Sequence, residues 1–164
     1  MAIIRTNRGF ALLIAVIFMS VMLAFGVALG SLAYKQQVLA SSAVESQFAF
    51  YAADAGLECA LYYDYQLNYF PYPQADPGTA PSITCDNASS LSQSETWSTL
   101  QWIVFNRLSL DSNKRCVDVW VYKKNPTSSQ YNYIFSQGYD VPCSTVATPQ
   151  PGARFVARGI SIRF

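Results

Sequence analysis

The stretch FALLIAVIFMSVMLAFGVALGSLAY, residues 10–34, contains no charged side chain; the nearest charges are Arg8 before it and Lys35 after it. As a helix its 25 residues reach roughly 37 Å, more than the ~30 Å hydrocarbon core of a bilayer. A helix at the core of a water-soluble domain would keep a polar stripe, and this run has none. Ser20 and Ser31 can return their hydroxyls to backbone carbonyls, and Gly26 and Gly30 are tolerated in a membrane helix. Arg5 and Arg8 precede the run, which by the positive-inside rule holds the N-terminus in the cytoplasm and sends the rest outward. A removable signal peptide has an apolar centre of about 7–15 residues ending at a small-residue cleavage site. The present run is longer and flows into more helix, so the expectation is a single-pass membrane anchor.

Outward from the run, residues 35–69 contain no proline and a single glycine, Gly56, so the helical pattern continues until Pro71 and Pro73 stop it. Phe50, Ala53, Leu57 and Leu61 recur at i, i+3, i+7 and i+11, with Gln47, Asp54, Glu58 and Asp64 assigned largely to other faces. One helix of about 60 residues is expected, its first half (10–34) in lipid and its second half (35–69) packed on a small exterior domain.

In a chain of 164 residues that leaves room for one modest domain. The formal net charge of +1 supplies no general field for nucleic acid, and direct nucleic-acid binding is not expected. The absence of histidine removes imidazole acid/base chemistry and most zinc ligand sets. No serine or cysteine stands in a motif that would supply an alternative base, so the reading is of a non-enzyme without cofactor or metal. Cys59, Cys85, Cys116 and Cys143 all follow the membrane run, an even number in a segment expected to face an oxidising exterior. Four cysteines permit three connectivities; the one favoured here pairs Cys59 with Cys85 and Cys116 with Cys143. The first bond would staple the helix end to the loop beyond it, the second a strand to a later loop.

Residues 70–96 are rich in proline, serine and threonine and read as a loop, with Asp76-Pro77-Gly78 as a turn signal. From Trp97 the pattern becomes extended. Residues 102–110 and 116–124 form a hairpin across Asp111-Ser112-Asn113-Lys114, with Val117, Val119 and Val121 alternating against Asp118, Trp120 and Tyr122. Residues 131–139 and 154–164 supply two further strands, the last with Val156, Ile160, Ile162 and Phe164 on one face. The expected fold class is α+β: a long N-terminal helix packed on an antiparallel sheet of about four strands, residues 97–164. Asp111-Ser112-Asn113 lacks the glycine and terminal glutamate of an EF-hand and reads as a turn. Tyr62, Tyr63, Tyr65, Tyr69 and Tyr72 read as packing where the helix meets the loop, their hydroxyls in water.

Arg8-Gly9-Phe10-Ala11-Leu12-Leu13-Ile14 resembles the junction of a type IV prepilin, in which a short basic leader ends in glycine and is followed by phenylalanine or methionine and an apolar helix. Residues 47–58, QFAFYAADAGLE, are similar to the corresponding stretch of PilX-like minor pilins. The resemblance covers about the first 60 residues; the sheet half shares only the general layout. It implies a leader of residues 1–9, cleavage by prepilin peptidase between Gly9 and Phe10, and N-methylation of Phe10. Glycine before the cut lets a protease approach the backbone closely. The partners implied are other pilin subunits through the N-terminal helix, the prepilin peptidase and the inner-membrane assembly platform. Most major pilins carry glutamate at the fifth mature position, which here is Ile14. An apolar residue there avoids burying an unpaired carboxylate. Minor components, including K-type pseudopilins associated with filament tips, often lack that glutamate too.

Three classes of function follow. The first is a minor pilin that helps initiate, tip or make adhesive a type IV filament, held first in the cell membrane and later in an extracellular pilus. The second is a single-span, membrane-anchored exterior binding module that does not polymerise. An enzyme is the third, and no motif supports it.

Overall fold

The computed structural model describes residues 8–164, so most of the expected leader, residues 1–7 with Arg5, lies outside the described residues. The chain is α+β: one long apolar N-terminal helix whose later turns pack on an antiparallel sheet. It divides into two units between Ser41 and Ser42.

Helix α1 spans Arg8–Tyr65 and accounts for the first unit. The second unit, Ser42–Phe164, holds the rest of α1 and every strand. The helix ends four residues before the expected Tyr69; the chain leaves it through Asn68, which adopts a left-handed φ of 47°, a conformation asparagine tolerates.

A two-stranded sheet, β1 (Thr84–Cys85) and β2 (Ala88–Ser89), turns through Asp86 and Asn87 with φ of 50° and 58°. Two left-handed residues in succession match the twist of a tight hairpin, and Asp and Asn adopt that region most readily after glycine. The main sheet is a meander of β3 (Ser92–Trp97), β4 (Gln101–Leu110), β5 (Arg115–Lys124), β6 (Tyr133–Tyr139) and β7 (Ala157–Arg163), every neighbour antiparallel. It therefore has five strands where about four were expected. The β1–β2 hairpin and all of the added strand β3 except Trp97 fall in residues 70–96, expected to be a loop. SQSETW lacks the β-branched and aromatic enrichment that marks a strand, because β3 is an edge strand whose side chains are mostly exposed. It is held by its register on β4, from Ser92 opposite Arg107 to Trp97 opposite Trp102.

The inner face of the sheet carries Val104 and Leu108 of β4, Val117, Val119 and Val121 of β5, and Ile134 of β6, all fully buried, with Phe70 and Ile83 brought in by the connecting segment. Opposite them α1 presents Ala49, Ala52, Ala53, Gly56 and Ala60, all buried. Of the face expected from Phe50, Ala53, Leu57 and Leu61, Ala53 is fully buried and the two leucines pack half-buried against the core, while Phe50 is exposed. Small residues line the contact because helix and sheet approach closely. A Cβ on Gly138 of β6 would collide with Ala49 O and Ala53 N of the helix backbone, and one on Gly56 would meet the side chains of Val117 and Ser136. Ser136 is fully buried and donates to Ala53 O at 2.7 Å, so its hydroxyl is satisfied by the helix it faces.

Asp64, assigned above to another face of the helix, is also buried, 7% exposed. Lys123 Nζ donates to both its carboxylate oxygens, at 2.8 and 2.9 Å. The pair links the last turn of α1 to β5.

Candidate functional site

The expected cleavage pair lies on α1: the helical backbone runs through Arg8, Gly9 and Phe10, and the Phe10 side chain is exposed. Every side chain of residues 10–34 is exposed. The helix is long and apolar enough to cross a membrane, and none of its apolar run is covered by the protein's own core. Ser20 donates to Ile17 O at 2.8 Å and Ser31 to Ala28 O at 2.9 Å. With both hydroxyls turned back on the helix, the surface presented outward is apolar. Ile14 belongs to it, half exposed and flanked by Leu13 and Val16.

The four cysteines are paired as Cys59–Cys85 and Cys116–Cys143, with Cα separations of 6.2 and 4.7 Å. The first bond fastens α1 to β1. The second fastens β5 to a short helix α2 (Cys143–Ala147), which with Tyr139, Val141, Val146 and Ala157 builds a small second cluster on the outer face of the sheet. Among the described residues, no group of three or more Cys, Asp or Glu side chains is placed to hold a metal ion.

The tyrosines at the end of α1 and just beyond it split by role. Tyr63 Oη accepts from Thr84 N at 3.1 Å and donates to Thr84 O at 3.3 Å; Tyr69 and Tyr72 donate to Ser82 O and Ser98 O. They tie α1 to β1, close the connecting segment on itself and join it to the turn after β3, using backbone partners rather than the water expected. Tyr62 and Tyr65 are exposed.

The outer face of the sheet is where the sequence reading missed most. Ile103, Tyr122, Tyr133 and Arg163 stand opposite one another in a row across β4 to β7, and Phe105, Trp120, Phe135 and Ser161 form the next row. The rings pack along these rows: Phe105 to Trp120 at 5.1 Å between centroids, Trp120 to Phe135 at 5.4 Å, and Tyr122 stacked on Tyr133 at 3.9 Å. Phe135 also lies over Gly159, where a Cβ would be 2.9 Å from the ring. The alternation of aromatics through residues 131–139 was a usable signal, but only strand pairing shows that three separate segments assemble one aromatic surface.

One end of this face is closed by charge. Arg107 forks onto Asp118 at 2.6 and 2.7 Å, and Tyr139 Oη donates to Asp118 Oδ2 at 3.2 Å. The bond to Asp118 raises the Arg107 pKa further. Burial first, and then the Asp118 carboxylate, pushes the Tyr139 phenol up to about 12.

The opposite end is open. Tyr122, Tyr133, Phe135, Ser161 and Arg163 line a hollow of about 390 Å³. A second, of about 520 Å³, shares Tyr133 and Arg163 and adds Gln101, Gln130 and Tyr131. Burial, followed by the neighbouring Tyr122, raises the Tyr133 phenol, while Arg163 acts in the opposite sense.

No family model, no curated protein and no solved structure matches the chain.

Proposed function

We propose that the chain is a minor pilin of a type IV pilus or related filament, anchored in the cell membrane by residues 10–34 before assembly and carried in the filament afterwards. The observation that supports this reading is the division of labour along α1. Its first turns expose an unbroken apolar surface, while its later turns are covered by a disulfide-bonded sheet. An apolar helix surface must be covered by something, and both lipid and the matching helices of other subunits present the same apolar chemistry. Arg8-Gly9-Phe10 at the start of the run gives the junction a prepilin peptidase would cut, leaving Phe10 as the methylated N-terminus. Two disulfides suit a domain exported to an oxidising compartment. Ile14 in place of a carboxylate favours a subunit that initiates or tips the filament, or lends it adhesion, over a bulk shaft subunit.

The mass of the N-terminal peptide, from protein taken from membranes of its own host, tests the reading. The expected product begins at methylated Phe10 and is found in sheared filaments. A chain that retains residues 1–9, is missing from sheared filaments and leaves filament number unchanged when deleted overturns it. That outcome favours the membrane-anchored exterior binding module that does not polymerise, a reading to which the open outer face of the sheet lends weight.

A further inference from the structure

The geometry points to a saccharide-binding groove on the outer face of the sheet, at the Tyr133–Arg163 corner, selective for oligosaccharides that carry a carboxylate. The inference concerns the sheet alone and stands or falls separately from processing and assembly.

Three features of the corner lead to this class of ligand. First, the floor and one wall are aromatic. Tyr122 and Tyr133 are stacked nearly parallel, 12° apart, and Phe135 follows in the adjoining row. Tyr131 stands at the margin 70% exposed. Stacking covers one face of each ring and leaves the Tyr133 face on the Arg163 side of the row; that face, with the exposed ring of Tyr131, is complementary to the C–H face of a pyranose, while phenol hydroxyls at the ring edges meet sugar hydroxyls. Second, the remaining lining is uncharged and hydrogen-bonding: Gln101 and Gln130 offer amides and Ser161 a hydroxyl, donors and acceptors that suit a polyhydroxylated ligand. The two hollows, about 390 and 520 Å³, each fall within the ~300–1,000 Å³ range of small-ligand sites. Third, the charge is one-sided. Arg163 is shared by both hollows, neither hollow is lined by an Asp or Glu, and neither Arg163 nor Lys124, opposite Gln101 at the same edge of the sheet, forms an ion pair among the described residues. A guanidinium without a carboxylate partner beside an aromatic platform is complementary to a planar carboxylate, which it can engage through two parallel hydrogen bonds.

Single-stranded nucleic acid also stacks on aromatic rings, but it needs a track of cations along the backbone. This corner has two, in a chain whose formal net charge is +1. A uronic or sialic acid needs one.

The experiment titrates the full chain in detergent micelles, by calorimetry against micelle blanks. The probes are sialyllactose and a hyaluronan tetrasaccharide, with lactose and chitotetraose as neutral counterparts and a thymidine oligonucleotide as the nucleic-acid arm. At least one acidic saccharide is expected to bind more tightly than its neutral counterpart. Arg163→Gln should weaken that binding by roughly tenfold, the scale of one charge-assisted pair, and leave the neutral probe unchanged. Tyr131→Ala should weaken acidic and neutral probes alike. Both side chains are exposed, so neither substitution disturbs the core, and unchanged near-UV circular dichroism checks this. The inference is overturned if neither acidic saccharide binds, if Arg163→Gln binds as the wild type does, or if only the oligonucleotide responds.

Discussion

Buried polar residues tie the separate parts of the sheet domain together. Lys123 and Asp64 are 15% and 4% exposed at their side chains and lie 59 residues apart in sequence. Their pairing leaves no room for a substitution that removes only one charge. Tyr139 gives the same logic a pH dependence. It is 7% exposed and donates to Asp118, and its phenol is pushed up to about 12 from an ordinary value of 10. Above pH 10 the unfolded chain loses this proton while the folded chain keeps it, so stability falls as pH rises from 10 to about 12. Below pH 10 the contribution is constant. Tyr139→Phe should remove this part of the alkaline loss, about 2–3 kcal/mol across the window. The check is urea unfolding of wild type and variant at pH 8 and at pH 12; equal losses in the two proteins would contradict it.

At the scale of elements, α1 is one helix with two kinds of surface, and its glycines respond to substitution accordingly. Gly26 and Gly30 have nothing within 4 Å of a built Cβ, whereas Gly138 of β6 has the helix backbone at Ala49 and Ala53. A backbone cannot yield as a flexible side chain does. Gly138→Ala should therefore destabilise the sheet domain by about 3 kcal/mol or more through overpacking, while Gly26→Ala leaves its unfolding transition in place. Thermal unfolding in micelles, followed by near-UV circular dichroism, separates the two; a silent Gly138→Ala would mean that helix and sheet are not in close contact. The disulfides belong to this scale as well. Each closes a loop, with sequence separations of 26 and 27, and contributes roughly 3–4 kcal/mol in the chain-entropy account, a large share for so small a core.

For the whole molecule, the apolar run and the disulfide-bonded domain need different surroundings. The run of residues 10–34 is exposed throughout, so the full chain should resist extraction from membranes by alkaline carbonate. Ala24→Arg places a charge near the middle of the run at a cost of about 2.5–3.5 kcal/mol on insertion scales. It should shift a measurable fraction of the protein to the extractable pool while leaving both disulfides formed. Complete extraction of the wild type would rule out a membrane-spanning run.

Much of this was legible in the sequence because it rests on local, one-dimensional properties. An unbroken apolar run, the prolines after it, and the alternation of Val117, Val119 and Val121 depend on neighbours a few positions apart; they gave the helix, the α+β class and the central strands. The pairing Cys59–Cys85 and Cys116–Cys143 could be favoured from sequence order, but the choice among three connectivities needed Cα atoms brought within bonding reach. Tertiary structure alone decided the rest. Only contact with β5 and β6 shows that the helix buries Ala49, Gly56 and Ala60 beside the expected Ala53 and leaves Phe50 out, because a close approach excludes large side chains whatever their hydrophobicity. Edge strand β3 is specified by the partner it pairs with rather than by its own polar residues. Asp64 meets Lys123, and Tyr122, Tyr133, Phe135 and Arg163 meet on one face, because strand register converts distant positions into neighbours, and no local propensity encodes a register.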